Sequence, residues 1–435
     1  MLWNLILGIM VVGYVSLGKS FAYLGIPSAH VFIGEIVLVA LLLVRPRAIV
    51  DRWYAGLSSS CLTGTIAWSY FAFLCFGVLE VAHGIYQGFP PLAALESLVF
   101  QVYPLYLFAG MFVAGMSKDF IRKVVLWLAW WNCFYGLAYI FVLNRVSLML
   151  PGTDVPLFWG TGGGSLVLIG ILCFEQKLTR VFIPLMINLF IVLAMQVRAE
   201  WLGLILVLSC WAMLTRRVGR LAFGVGAVAV LLTVAYAVDF SIPSPAGRGG
   251  NISFQDIASR AVASVDAEKA REFSRSADQY AGTVTWRKTW WSAIWDSVHE
   301  DQTTALIGHG YGFPIGDLVS FLKNVEIRTP HNVFFYALAY GGWSGVCLFF
   351  IFQASLGYGL WRTFLLTGQP FGILLWLMSL TAAFFGSLFE TPFGAIPTYI
   401  LLGAALAPGI EQEPRLDEVS AQAELMSPGW RIAGQ

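Results

Sequence analysis

Apolar residues arrive in long, nearly uninterrupted runs, and the charged residues fall between them. The runs lie near 2–17, 29–44, 57–79, 92–115, 124–143 and 159–174, then near 181–197, 201–214, 221–238, 332–355, 371–389 and 396–407. Each approaches the roughly 20 residues that an α-helix needs to cross a bilayer. Backbone in hydrocarbon has no water to bond, so it must satisfy its own amides, and the runs predict helices. The expected fold is an all-α polytopic membrane protein with about 12 transmembrane helices. The two runs flanking Arg198 also fit a broken or re-entrant element.

Composition agrees. Of 435 residues, 58% are hydrophobic and 12% charged, too few charges to cover a soluble protein of this size. The net charge of +1 identifies no partner, but its distribution gives an orientation. Alternate short loops hold Arg45, Arg47 and Arg52; Lys118, Arg122 and Lys123; Lys177 and Arg180; Arg216, Arg217 and Arg220; and Arg362. The intervening short loops hold only Lys19, Arg145 and Arg198. Basic residues accumulate on the cytoplasmic side, so both termini are expected there. The N-terminus lacks a charged leader and a small-residue cleavage site, and reads as a retained first helix. The six cysteines (Cys61, Cys75, Cys133, Cys173, Cys210 and Cys347) lie within apolar runs without ligand spacing, and read as small buried hydrophobes.

This divides the chain into nine membrane helices (1–238), a large outer loop (239–331), three more helices (332–407) and a polar cytoplasmic tail (408–435). The loop faces the periplasm if the host has two membranes. It opens on a turn-rich stretch from Ser241 to Gly250. Residues 254–280, rich in Ala, Glu, Arg and Asp, predict a solvated helix. Trp286, Trp290, Trp291, Ile294, Trp295 and Val298 then repeat at helical spacing. A Trp-rich helix flanked by Arg287 and Lys288 suits the membrane–water boundary.

Ionisable groups at membrane depth are costly and are functional candidates by default. Arg198 sits where one helix reaches the outer surface and the next begins; taken alone it reads as a snorkelling arginine or a pair with Glu200. Arg287, taken alone, reads as a headgroup contact. His331 follows Thr329 and Pro330, which fit an N-cap and first helical position, placing it in the first turn of the next helix. There the helix dipole disfavours imidazolium and favours a neutral, proton-accepting ring, with a simple capping contact as the plainer reading. His309 lies in the glycine-rich Gly308-His309-Gly310-Tyr311-Gly312, which reads equally as a turn. His83 has no evident partner. Glu390 reads as an acid, a sugar ligand, a cap or an arginine partner. The outer side carries no Asp-x-Asp or His/Asp cluster and the chain no Gly-Lys-Ser/Thr loop or dinucleotide fingerprint, so no metal or cofactor is expected.

Leu306–Gly312, Thr329-Pro330-His331-Asn332 and Gly341-Gly342-Trp343-Ser344-Gly345 together resemble the O-antigen ligase and polysaccharide polymerase family of bacterial envelope glycosyltransferases. Its members show a glycine-rich turn, a spacer, a His-Asn pair opening a helix and a glycine pair about ten residues on. They also carry an arginine at an outer helix end and another before the turn, which Arg198 and Arg287 match. The resemblance covers about Phe182 to Phe350. It implies an inner-membrane enzyme moving a glycan from undecaprenyl diphosphate to an acceptor hydroxyl, either of lipid A–core or of another lipid-linked repeat. His331 corresponds to the family's essential histidine, proposed as general base, and Arg198 and Arg287 would bind the donor diphosphate, with inversion and without metal. Asn332, Glu390, Gly310 and Tyr311 are further candidates for substrate contact. Ligase and polymerase are not separable from these residues.

The alternative is a transporter or flippase for lipid-linked sugars. Transporters bind near the midplane between broken helices. Glu35 is the clearest charge in a span centre and has no evident partner, whereas the other candidates gather on one side, which favours an enzyme.

Overall fold

The computed structural model describes residues 2–26, 31–46, 50, 53, 62–116, 119–160, 163–175, 178–245, 250–263, 266–274, 277–323 and 329–412. Arg47, Arg52, Lys118, Lys177, Cys61 and the tail beyond 412 lie outside them.

The apolar runs form helices. The principal ones are α1 (Leu2–Leu17), α2 (Ile33–Val44), α3 (Leu62–Tyr86), α4 (Leu105–Met116), α5 (Phe120–Phe141), α6 (Gly163–Phe174), α7 (Phe182–Met195), α8 (Arg198–Leu214) and α9 (Val218–Ala237). After a polar segment come α10 (Phe254–Val262), α11 (Ala267–Phe273), α12 (Ala277–Val298) and α13 (Gln302–Ile307), then α14 (Val333–Thr367), α15 (Phe371–Phe385) and α16 (Pro392–Gln412). Two small antiparallel hairpins complete it, β1 (Gly25–Ile26) with β2 (Val31–Phe32) and β3 (Ser241–Pro243) with β4 (Asn251–Ser253). Among the described residues, five helical segments are long and apolar enough to cross a membrane and six shorter apolar helices accompany them. The chain is a multi-pass membrane protein.

The core is built around α16, which packs on α4, α1 and α14, while α14 also lies along α3 and α15 along α8. Tyr70, Phe73, Phe100, Phe349, Phe352 and Tyr399 interlock in its centre, with Phe73 stacked on Phe352 at 5.9 Å. By contrast, among the described residues none of the apolar window of α9 is buried by protein, as expected of a helix solvated by lipid.

Three local expectations change. Glu35 is not isolated in a span centre: it lies in the first turn of α2, where one carboxylate oxygen accepts from the Phe32 amide (3.1 Å) and the other from Tyr103 Oη (2.9 Å). His83 has partners, Glu80 at 3.2 Å and Gln87 at 3.3 Å. The solvated helix predicted over 254–280 is two short helices, each capped: Ser253 Oγ accepts from the Asp256 amide, and Asp266 accepts from Glu268 and Lys269.

The tryptophan stripe is the fourth difference. Trp290, Ile294 and Val298 are fully buried in the protein rather than turned towards a lipid boundary. Trp290 Nε1 donates to the Ile315 carbonyl at 2.7 Å and Trp291 Nε1 to the Pro330 carbonyl at 2.8 Å. An indole buries a large apolar face once its one donor is satisfied, so these bonds let α12 dock against the protein.

Candidate active site

A helix break supplies Arg198. Gln196 ends α7 in the left-handed conformation (φ 55°) and Val197 leads straight into α8, so the two runs are joined by a tight turn. Arg198 is the first residue of α8. Gln196 Nε2 donates to the Asn251 carbonyl in β4 (2.8 Å), which ties this turn to the hairpin heading α10. Asp256 holds that corner, accepting from the Asn251 amide and from Ser274 Oγ. Arg260, about one turn further along α10, is buried and its charge acts on Arg198.

Arg287 comes from α12. One guanidinium nitrogen donates to the Phe385 carbonyl (3.1 Å) at the end of α15, the plane lies 5.5 Å from the Trp286 ring, and Nε is enclosed without a bond among the described residues. The charges of Arg260 and Arg287 both act on Arg198. Three guanidiniums from the start of α8, from α10 and from α12 therefore share one electrostatic field. Like charges repel at this range, and an anion bound among them would offset that repulsion. Arg260 was not a candidate from the sequence, where it looks like any arginine of a solvated helix; its burial depends on the hydrogen bond between Gln196 and Asn251.

His331 adjoins this group. It stands one residue ahead of the helix rather than in its first turn: Asn332 is the N-cap of α14, its Oδ1 accepting from the amides of Phe334 and Phe335. His331 itself takes φ 54°, a left-handed conformation costly for a non-glycine residue and a recurring mark of functional positions. Its ring stands edge-on to Trp286, centroids 6.0 Å apart at 80°. Burial first, and then the charge of Arg287, lower its pKa to about 4, so the imidazole is neutral at pH 7.

The remaining candidates are held by contacts of their own. Glu390 is buried in the segment between α15 and α16, five residues beyond the carbonyl that Arg287 holds, and burial pushes its carboxyl up to about 8. Tyr311 is buried, its hydroxyl donating to Gln101 Oε1 at 2.7 Å. His309 stacks on Phe313 (4.0 Å) and its Nε2 lies 2.9 Å from Ser297 Oγ.

The glycine-rich stretch is a backbone seam. Gly342 (φ 58°) interrupts α14, and the amides of His309 and Gly310 bond to the carbonyls of Ala339 and Tyr340 just before the interruption, both at 3.0 Å. A Cβ on Gly308 would overlap the Tyr340 backbone, and one on Gly342 the backbone at Leu306. Gly310 makes a similar close approach to Gly84. These positions need glycine because two chains meet there with no room for a side chain.

An apolar cavity of about 360 Å³ opens beside Arg198. Val197, Ala199 and Glu200 line it with Phe385 and Leu388, and it runs inward past Leu375, Met378 and Leu401.

A polytopic membrane protein with one buried and two partly buried arginines beside a neutral histidine is suited to anionic substrates. Residues 183–350 match the model of the family described as O-antigen ligase. The match implies glycosyl transfer of the O-antigen ligase or polymerase type in the cell envelope. It spans Arg198, Arg260, Arg287 and His331. No curated protein matches the chain.

Proposed function

We propose that this protein transfers a glycan from a polyprenyl diphosphate, undecaprenyl diphosphate in bacteria, to an acceptor hydroxyl at the outer face of the inner membrane. The observation that carries this reading is the meeting of Arg198, Arg260 and Arg287 beside a neutral His331. The count of twelve spans rests on the apolar runs, and the cytoplasmic termini and periplasmic setting of 239–331 on the distribution of basic loop residues.

In this reading the arginines pair with the diphosphate oxygens, and guanidinium forks match them bidentately without a metal. The apolar cavity beside Arg198 accepts the first isoprene units and the arginines hold the diphosphate, so the anomeric carbon lies beyond the basic cluster, on the side away from the cavity. The acceptor O–H attacks that carbon from the face opposite the diphosphate. A new C–O bond forms, the bond to diphosphate breaks, and the leaving group departs with its electron pair; configuration inverts. The acceptor proton passes to the His331 imidazole. A base with a pKa near 4 is weak in the empty enzyme. Diphosphate anion paired with Arg287 offsets the repulsion from that cation and strengthens the base when donor is present.

Reconstitution of the purified chain with a polyprenyl-diphosphate glycan and either lipid A–core or a second lipid-linked repeat tests the proposal. Glycan transfer that His331→Ala abolishes, with donor binding retained, is the expected result. Full turnover by that variant rejects the base assignment. Movement of donor between leaflets without any new glycosidic bond favours a transporter instead.

A further inference from the structure

Far from the arginines, a groove of about 670 Å³ runs between α1 and the start of α5. Its apolar walls are Leu5, Ile9, Val12, Val124 and Trp127, of which Leu5, Ile9 and Trp127 are 61%, 52% and 69% exposed. Gly8 forms the floor: a Cβ there would stand 3.8 Å from Val124, so the groove is deep because this residue has no side chain. From Asn4 to Gly13 the groove follows roughly 14 Å of helix, the reach of a partial acyl chain.

Two polar residues line it, Asn4 and Lys123. Among the described residues no carboxylate lies within ion-pair distance of Lys123, whereas the neighbouring Arg122 is engaged with Glu175 at 3.2 Å. Asn4 Oδ1 is enclosed without a hydrogen bond. An apolar trough bordered by a cation and an unengaged amide is complementary to a tail joined to an anionic head.

We propose that this groove is a binding site for an anionic glycerophospholipid. An acyl chain lies over Gly8 towards Gly13, the phosphate rests against Lys123, and the Asn4 amide donates to a phosphate or ester oxygen. The site is separate from the arginine cluster and does not depend on the catalytic reading. A zwitterionic lipid brings a second cation beside Lys123 along with its phosphate, which is why the net charge of the head decides the occupant.

The test uses the full chain, delipidated in detergent, with phosphatidylglycerol and phosphatidylcholine as probes and bound lipid counted by native mass spectrometry. One phosphatidylglycerol should bind about fivefold more tightly than phosphatidylcholine, the scale of one basic residue at a membrane surface. Lys123→Gln should erase that preference. Gly8→Leu should fill the trough and release both lipids, whereas Gly8→Ala, whose Cβ fits, should retain them. An undiminished preference in Lys123→Gln, or wild-type binding by a folded Gly8→Leu, overturns the proposal. If Gly8→Leu fails to fold, Lys123→Gln decides alone.

Discussion

The imidazole of His331 stands edge-on to the indole of Trp286, while Arg287, the next residue of α12, reaches across to the Phe385 carbonyl. One helix therefore shields the proposed base from water and places the cation that keeps it neutral.

The pH profile should report this contact. His331 has its pKa lowered to about 4, so the base-competent neutral ring persists as pH falls and is lost only near pH 4. The acid limb of kcat/KM is expected near pH 4 rather than near 6.5. Removing the neighbouring cation in Arg287→Ala favours imidazolium and should move that limb to higher pH. A limb unchanged between the two enzymes would show that Arg287 does not act on the base.

Trp286→Ala should open His331 to water, move the same limb upward and reduce turnover by about tenfold, the scale of a misplaced general base. Trp286→Phe retains an aromatic edge and should lie between the two. Comparing kcat for these variants with folding checked by thermal melting separates loss of shielding from loss of structure.

The three arginines should share one role. Arg198→Ala, Arg260→Ala and Arg287→Ala are each expected to weaken donor use by about 10- to 100-fold, the scale of a charge-assisted hydrogen bond to phosphate. Acceptor KM should change little. Measuring kcat/KM for donor against acceptor checks this, and an Arg260→Ala enzyme with unaltered donor kinetics would remove Arg260 from the diphosphate site.

Glu390 predicts a stability effect with a definite sign. Its carboxyl is raised from 4.5 to about 8, so the folded state holds a proton that the unfolded chain releases earlier. The stability gained from this raised pKa is complete below pH 4.5 and is lost as pH rises towards 8. Glu390→Gln should remove that slope. Thermal melts in detergent across pH 5 to 8, roughly the window between the two pKa values, should show the wild type losing several degrees relative to the variant.

Gly342→Ala should be among the more damaging small changes. The positive φ costs about 1–3 kcal/mol for a non-glycine residue, and overlap with the backbone at Leu306 adds to it. A lower melting temperature and reduced yield are expected, whereas Gly368→Asn, at a helix end with open space, should be tolerated.

The membrane helices were legible because a bilayer imposes one rule on every crossing segment. Arg287 and His331 were legible because each lies beside a landmark, the tryptophan run and the helix start. Arg260 was not: its burial depends on Gln196 bonding to a carbonyl 55 residues away. Glu35 was misread for the same reason, since its partner Tyr103 lies 68 residues on. The tryptophan spacing was correct as a helix face but silent on what that face meets, because indole suits a lipid interface and a protein core alike.

The seam between the glycine-rich turn and the interrupted α14 consists of main-chain bonds, with each close approach made possible by a missing Cβ. The bonds of such a clasp depend on no side chain, only on its glycines. Packing of Ala339 and Tyr340 in the core is a separate constraint, so the chain stays fastened there even where side-chain contacts loosen.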